Sequence, residues 1–146
     1  MKALIQRVSS ASVSVAGESV GAINGGLLVL LGVERNDTAE IAERLLDRLL
    51  RYRVFSDAEG RMNLSLADTG GGLLLVSQFT LVADTRKGLR PGFSGAATPE
   101  LGKALYEHML QKAHSSHPQV ASGRFGADMQ VSLLNDGPVT FLLEMN

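Results

Sequence analysis

The sequence predicts a mixed α/β fold, with layered β-sheets and two main α-helices packed on one side. Three patterns carry that expectation. Apolar and polar residues alternate between Ala3 and Val15, the period of a half-buried strand. The runs Leu27 to Val33 and Leu73 to Val76 are almost wholly aliphatic, as strands covered on both faces require. Two further stretches show helical spacing with capping residues at their starts.

The first third of the chain reads as β. Ala3 to Val15 turns at Ala16-Gly17-Glu18 and returns over Ser19 to Ile23, a hairpin closed by Asn24-Gly25-Gly26 before a central strand from Leu27 to Val33. Asn36-Asp37-Thr38 then supplies N-cap oxygens, with Glu40 placed to complete a capping box, and Ile41, Leu45, Leu46, Leu49 and Leu50 fall on one helix face. The opposite face carries Glu43, Arg44, Asp47, Arg48 and Arg51 and reads as solvent-facing. Val54-Phe55 suits a short strand, residues 56–61 a turn, and Met62 to Leu66 a strand pairing back. Asp68-Thr69-Gly70-Gly71-Gly72 reads as a plain turn. A phosphate cradle would need its glycines after a strand and before a helix, followed by Gly-Lys-Ser/Thr.

Thr98 as N-cap and Pro99 at the first helical position open a second helix, with Leu101, Ala104, Leu105 and Met109 as its apolar face, fading near His114. Ser115-Ser116-His117-Pro118 is expected to be a linker. A strand begins at Val120, residues 123–127 bend it, and Met129 to Leu134 and Val139 to Leu143 are the closing strands.

At 146 residues, 45% hydrophobic and 20% charged, the chain suits one globular domain spanning 1–146. Its 14 basic and 15 acidic residues give a net charge of −1, which excludes gripping nucleic acid by bulk charge alone and leaves a local basic patch open. The absence of cysteine excludes disulfides, thiolate catalysis and cysteine-ligated metals. Met1-Lys2-Ala3-Leu4-Ile5-Gln6-Arg7 turns polar too early for a secretory segment, and no apolar run approaches the roughly 18 residues that span a bilayer. The expectation is a soluble cytoplasmic protein without a membrane partner.

Chemistry concentrates at two places. The strand ending at Val76 opens into Ser77, Gln78 and Thr80 around Phe79, three polar side chains that cost about 1–3 kcal/mol each if buried without partners, and ligand sites commonly lie beyond a strand's carboxyl end. Asn135-Asp136-Gly137-Pro138-Val139-Thr140 joins two apolar runs, with a proline where a hydrogen-bonded strand should begin. His108, His114 and His117 lack metal-ligand spacing, no Gly-x-Ser-x-Gly elbow surrounds Ser77, and no carboxylate pair attends either place. A site of hydroxyls, an amide, an aromatic ring and backbone can bind and orient, or can hydrolyse an activated ester by holding water and stabilising an oxyanion. The loop from Val82 to Gly95 leaves two readings open. Arg86, Lys87 and Arg90 either hold a phosphodiester backbone, with Phe93 stacking on a base, or are simply solvated.

Ser77-Gln78-Phe79-Thr80-Leu81 together with Asn135-Asp136-Gly137-Pro138-Val139-Thr140 resembles the motif pair of the D-aminoacyl-tRNA deacylases, the bacterial type named for D-tyrosyl-tRNA. The opening Met1 to Val8, the loop Lys87-Gly88-Leu89-Arg90-Pro91-Gly92-Phe93 and Ala127-Asp128-Met129-Gln130-Val131 extend the likeness along the chain, with Gly92 where that family more often has serine.

The resemblance implies a barrel-like homodimer with active sites at the interface, requiring no cofactor and no metal. Its substrate would be the 3′-terminal aminoacyl-adenosine of tRNA, not DNA, and its reaction hydrolysis of the ester to a D-amino acid or glycine, as translational proofreading. In that family the Gly-Pro bond is cis, and Gly137-Pro138 would enter the partner's pocket, where backbone carbonyls leave no space for an L side chain. Ser77, Gln78 and Phe79 would form the catalytic pocket, with Thr80 either a nucleophile or a structural hydroxyl. Arg7 would brace the Gly-Pro segment, Phe125 and Met129 would serve the adenosine pocket, and Arg86, Lys87 and Arg90 would meet the acceptor end. A tRNA-binding module without turnover, and a small-molecule esterase using Thr80 or Ser77, are the alternatives.

Overall fold

The computed structural model describes residues 1–146. Its organising strand is β1 (Lys2–Val15), which pairs antiparallel with β2 (Glu18–Ile23) through its second half and with β3 (Gly26–Gly32) through its first. Helix α1 (Ala39–Arg51) follows, then the small hairpin β4 (Phe55–Ser56) and β5 (Met62–Leu64), and the four-residue helix α2 (Leu66–Thr69). Strand β6 (Gly72–Ser77) lies parallel to β3 and ends in a 3-10 turn, Phe79–Val82. Helix α3 (Pro99–Ser116) leads to β7 (Val120–Ser122), parallel to β6, and the 15-residue β8 (Gln130–Glu144) returns antiparallel along β1.

The six-stranded sheet curls until its ends nearly meet, giving the barrel-like α/β form that the sequence predicts. Gly21 of β2 faces the Ser122 carbonyl of β7 so closely that a Cβ there would collide with it. Strands β3 and β6 carry residues of both cores, which is why their sequences are aliphatic rather than alternating. Leu27, Val29, Leu31, Leu73 and Leu75 face the helices, in a cluster with Leu45 and Leu49 of α1 and Leu105 and Met109 of α3. Leu28, Leu74 and Val76 face inward with Val8, Ala11 and Val13. No helix is long and apolar enough to cross a membrane.

The structure corrects several details. Thr38 is the N-cap of α1 and accepts from the Ile41 N–H, so Glu40 stands one position too early for a capping box. Asp37 is buried instead, accepting from the Met1 ammonium at 2.8 Å and the Glu34 N–H at 2.6 Å. The strand expected to reach Leu66 stops at Leu64, because Ser65 and Asp68 form the capping box that starts α2. Gly70 ends that helix at φ +68°. In α3, Ala104 is exposed and the buried stripe is Gly102, Leu105, Tyr106, Met109 and Ala113. The Tyr106 hydroxyl sets that rotation by donating to the Leu75 carbonyl at 2.9 Å. The expected linker also shortens: α3 continues through Ser116, and buried His117 bonds the Gly71 carbonyl. The two closing strands are one strand with an interruption.

The glycines that open β3 and β6 permit close approach. A Cβ on Gly26 would occupy the space of the Gly72 carbonyl, and the Gly72 N–H donates to the Gly25 carbonyl at 2.9 Å. Gly26→Ala is therefore expected to force β3 and β6 apart and cost about 2–3 kcal/mol, as overpacking does. A thermal melt should show the midpoint lowered by roughly 5–10 °C; an unchanged midpoint would contradict the tight pairing.

Candidate active site

The carboxyl end of β6 opens onto a cavity of about 450 Å³. Ser77 pairs beside Leu31, and the Gln78 N–H donates to the Leu31 carbonyl at 2.8 Å, the last bond of the parallel ladder. The backbone then departs from the strand into the 3-10 turn. The first two N–H groups of that turn, on Phe79 and Thr80, have no acceptor within the chain.

Ser77, Gln78 and Phe79 line the cavity together with Phe125 and Met129. Thr80 lies outside this lining, its hydroxyl accepting a hydrogen bond from the Gln78 side-chain amide. No histidine or carboxylate is bonded to the Thr80 hydroxyl. Gly102 and Tyr106 of α3 also line the cavity. Gly102 lies against Phe125, whose ring also packs 5.8 Å from that of Tyr106. Burial pushes the Tyr106 phenol up to about 12, so it stays protonated at neutral pH and is no base. Met129 is held by a contact of its sulfur with the Arg124 N–H at 3.3 Å.

Asp128, Tyr106 and Gly102 are among the lining residues that the sequence reading did not place at the site. Asp128 is the one carboxylate of the lining, in a segment that carries the family likeness but with no role read for it from the sequence. Tyr106 reads only as helix core. Gly102 did leave a signal, since a glycine inside a helix costs about 1 kcal/mol and asks for a packing reason. No three His, Asp or Glu side chains converge anywhere as a metal-binding group.

The loop beyond the turn is pinched where Asp84 and Gly92 exchange backbone hydrogen bonds of 2.7 and 3.0 Å. Arg86 is spent within it: its guanidinium donates to both Asp84 oxygens at 2.8 and 2.7 Å. Those hydrogen bonds hold the Asp84 carboxyl well below the usual carboxylate range. Lys87 and Arg90 are exposed at the tip without such a partner, and neither lines the cavity. Phe93 packs 5.2 Å from Phe79, extending the aromatic surface at the mouth.

Gly137 and Pro138 lie elsewhere, exposed on β8 and absent from their own chain's cavity. Here the β1–β8 ladder jumps from Gln6↔Thr140 to Val8↔Asn135, so that Arg7 alone faces residues 136–139 and the excess projects as a tip. The Gly137–Pro138 peptide is cis, and Gly137 has φ +146°, a conformation open to glycine. Side chains brace the tip from both flanks. Arg7 donates to the Asp136 carbonyl at 2.9 Å and the Val54 carbonyl at 2.7 Å. The Asn135 side-chain Oδ1 accepts from the Val139 N–H at 2.7 Å, and its side-chain Nδ2 donates to the Thr140 hydroxyl at 2.9 Å.

The geometry thus has two separate parts, a cavity ringed by hydroxyl, amide and aromatic groups and a rigid backbone tip. Comparison with known proteins matches nearly the whole chain. The curated D-aminoacyl-tRNA deacylase of Azotobacter vinelandii is 69% identical over 144 residues, 99% of either chain. That of Pseudomonas putida strain W619 is 67% identical over 145 residues, 99% of this chain and all of the other. Among solved structures, one titled "c-Myc DNA Unwinding Element Binding Protein" superposes with a TM-score of 0.94 at 40% identity, over 99% of this chain and 98% of that one. A probable eukaryotic D-amino acid tRNA deacylase shares the fold, at TM-score 0.85 and 18% identity over 97% of both chains. The family model described as D-Tyr-tRNA(Tyr) deacylase matches residues 4–144, both motifs included, and the chain belongs to that family.

Proposed function

We propose that the chain, acting as one domain over residues 1–146, hydrolyses the ester of D-aminoacyl-tRNA to free D-amino acid and tRNA, and that it works as a homodimer whose subunits complete each other's sites. The observation that carries this reading is the Asp136–Pro138 tip, braced on both flanks and outside its own chain's cavity. Backbone held this rigidly is fitted to serve as one wall of another subunit's cavity. Strand β8 supports the pairing: one of its edges has no partner strand, and Leu133, Leu134, Phe141 and Leu142 are exposed along it. An apolar free edge of this length invites a second chain, and a two-fold axis would set both tips into both cavities.

In this reading the aminoacyl-adenosine enters between Phe79 and the Phe125–Met129 wall. The Phe79 and Thr80 N–H groups face the scissile carbonyl and accept the charge that develops on its oxygen when water attacks. The C–O bond to the ribose 3′-oxygen then breaks, releasing the amino acid and the tRNA hydroxyl. The chain supplies no tuned base beside the ester, and the neighbouring 2′-hydroxyl of the ribose helps to position the water. Thr80 is a structural hydroxyl that holds Gln78. The tip's carbonyls occupy the space an L side chain would need, so D-amino acids and glycine pass and L esters are refused, which is what proofreading in the cytoplasm requires. Lys87 and Arg90 meet the acceptor end, and no metal takes part.

Three measurements follow. At equal enzyme and with a chelator present, D-tyrosyl-tRNA should be hydrolysed while L-tyrosyl-tRNA survives; survival of both would leave a tRNA-binding protein without turnover. Thr80→Ala should retain activity within about tenfold of the parent chain, whereas a nucleophile's loss would remove it almost entirely. Gly137→Ala brings a Cβ to 2.6 Å from Val139 Cγ2 in a backbone conformation unsuited to alanine, and must shift the tip. Its ratio of D to L hydrolysis should fall at least about tenfold, the scale of a lost 1.4 kcal/mol of discrimination; an unchanged ratio would refute the filter.

A further inference from the structure

The solvent-facing side of α1 has a shape as well as a charge. With the segment that leaves the helix it forms an open groove of about 900 Å³, into which Arg44, Arg48, Arg51 and Arg53 project around Tyr52. Four of the chain's 14 basic residues thus gather at one place on a protein of net charge −1.

The two acids of the groove are already engaged. Asp47 accepts from Arg51 at 2.6 Å. Glu43 is held by His108 at 2.7 Å and Lys112 at 3.5 Å, and the His108 hydrogen bond keeps its carboxyl below the usual range. Arg44, Arg48 and Arg53 have no carboxylate at ion-pair distance. Arg53 donates to the Asn63 side-chain oxygen, and the Arg48 guanidinium lies 5.8 Å over the Tyr52 ring. That ring is itself stacked on Phe141 of β8, at 5.9 Å and 24°. The result is a row of planar donor forks, partly immobilised and not neutralised. Such forks suit the non-bridging oxygens of phosphodiesters, and residues spaced three and four apart on a helix meet a continuous anionic chain one after another.

The groove also adjoins the tip. Tyr52 touches Phe141, and Arg7 ties the Val54 carbonyl to that of Asp136, so the Arg51–Val54 segment runs beside residues 136–141. We infer that this groove docks the phosphodiester backbone of the RNA whose 3′ end occupies the opposite subunit's cavity. The inference rests on the reading above, because the tip bordering the groove is the one that enters that cavity. Each subunit then gives its partner's substrate both a chiral wall and an electrostatic rail.

The test is the triple variant Arg44→Gln/Arg48→Gln/Arg53→Gln in the full-length protein. Binding of uncharged tRNA would be followed across a salt series, beside hydrolysis of D-tyrosyl-tRNA and of D-tyrosyl-adenosine, which has no phosphodiester. Affinity for tRNA should fall at least about tenfold, and the log–log salt slope should flatten by about 2, as the loss of two to three phosphate contacts dictates. KM for D-tyrosyl-tRNA should rise in proportion, with kcat and the hydrolysis of D-tyrosyl-adenosine unchanged. Parent-like affinity and salt slope in the variant would overturn the proposal, as would a parallel loss on both esters, which marks damage to the fold. If the parent chain hydrolyses neither ester, the deacylase reading fails, while the tRNA-binding comparison still decides the groove.

Discussion

The parallel pairing of β3 and β6 is the constraint on which the remaining architecture depends. Two parallel strands need a long crossover, and here α1 and the small hairpin supply it, covering one face of the sheet. The pairing is tight because Gly26 and Gly72 bring the backbones together where the strands start. Its last bond, from Gln78 to Leu31, is where the chain leaves the sheet with two amide groups unspent. The same contact that closes the core therefore determines where the cavity begins.

Much of this was legible in the sequence, for identifiable reasons. The aliphatic runs of β3 and β6 and the caps Thr38 and Thr98 are local signals that tertiary contacts did not override. What stayed hidden depended on distant partners. Nothing near Ala104 shows that Tyr106 bonds the Leu75 carbonyl and thereby turns the helix, and nothing near His117 points to the Gly71 carbonyl. The short α2 was concealed by composition, since Ser65 and Asp68 are turn formers until each caps the other. At the site, Ser77, Gln78 and Phe79 could be picked out because polar groups interrupt an apolar run. Asp128 and Gly102 could not be placed, because they join the cavity only when β8 and α3 are folded against β6.

Charge is distributed with similar economy. Several arginines are committed to structure or to local acids, among them Arg7, which spans two carbonyls, Arg86, clamped by Asp84, and Arg51, which answers Asp47. Arg44 and Arg48 on α1, and Lys87 and Arg90 at the tip of the 84–92 loop, have no carboxylate at ion-pair distance and are free to attract a polyanion. A nearly neutral protein can thus present local positive surfaces without the non-specific adhesion that high net charge brings.

The jump in register opposite Arg7 has a further consequence for how β8 tolerates change in length. Within a regular ladder, one inserted or deleted residue reverses the facing of every side chain beyond it. Here the pairs Gln6↔Thr140 and Val8↔Asn135 anchor the two halves of β8 separately, and the residues between them belong to neither ladder. An insertion or deletion at that point changes the reach of the tip and leaves Val131 and Leu143 facing as they did. The projecting tip can therefore be resized without rebuilding the barrel that carries it.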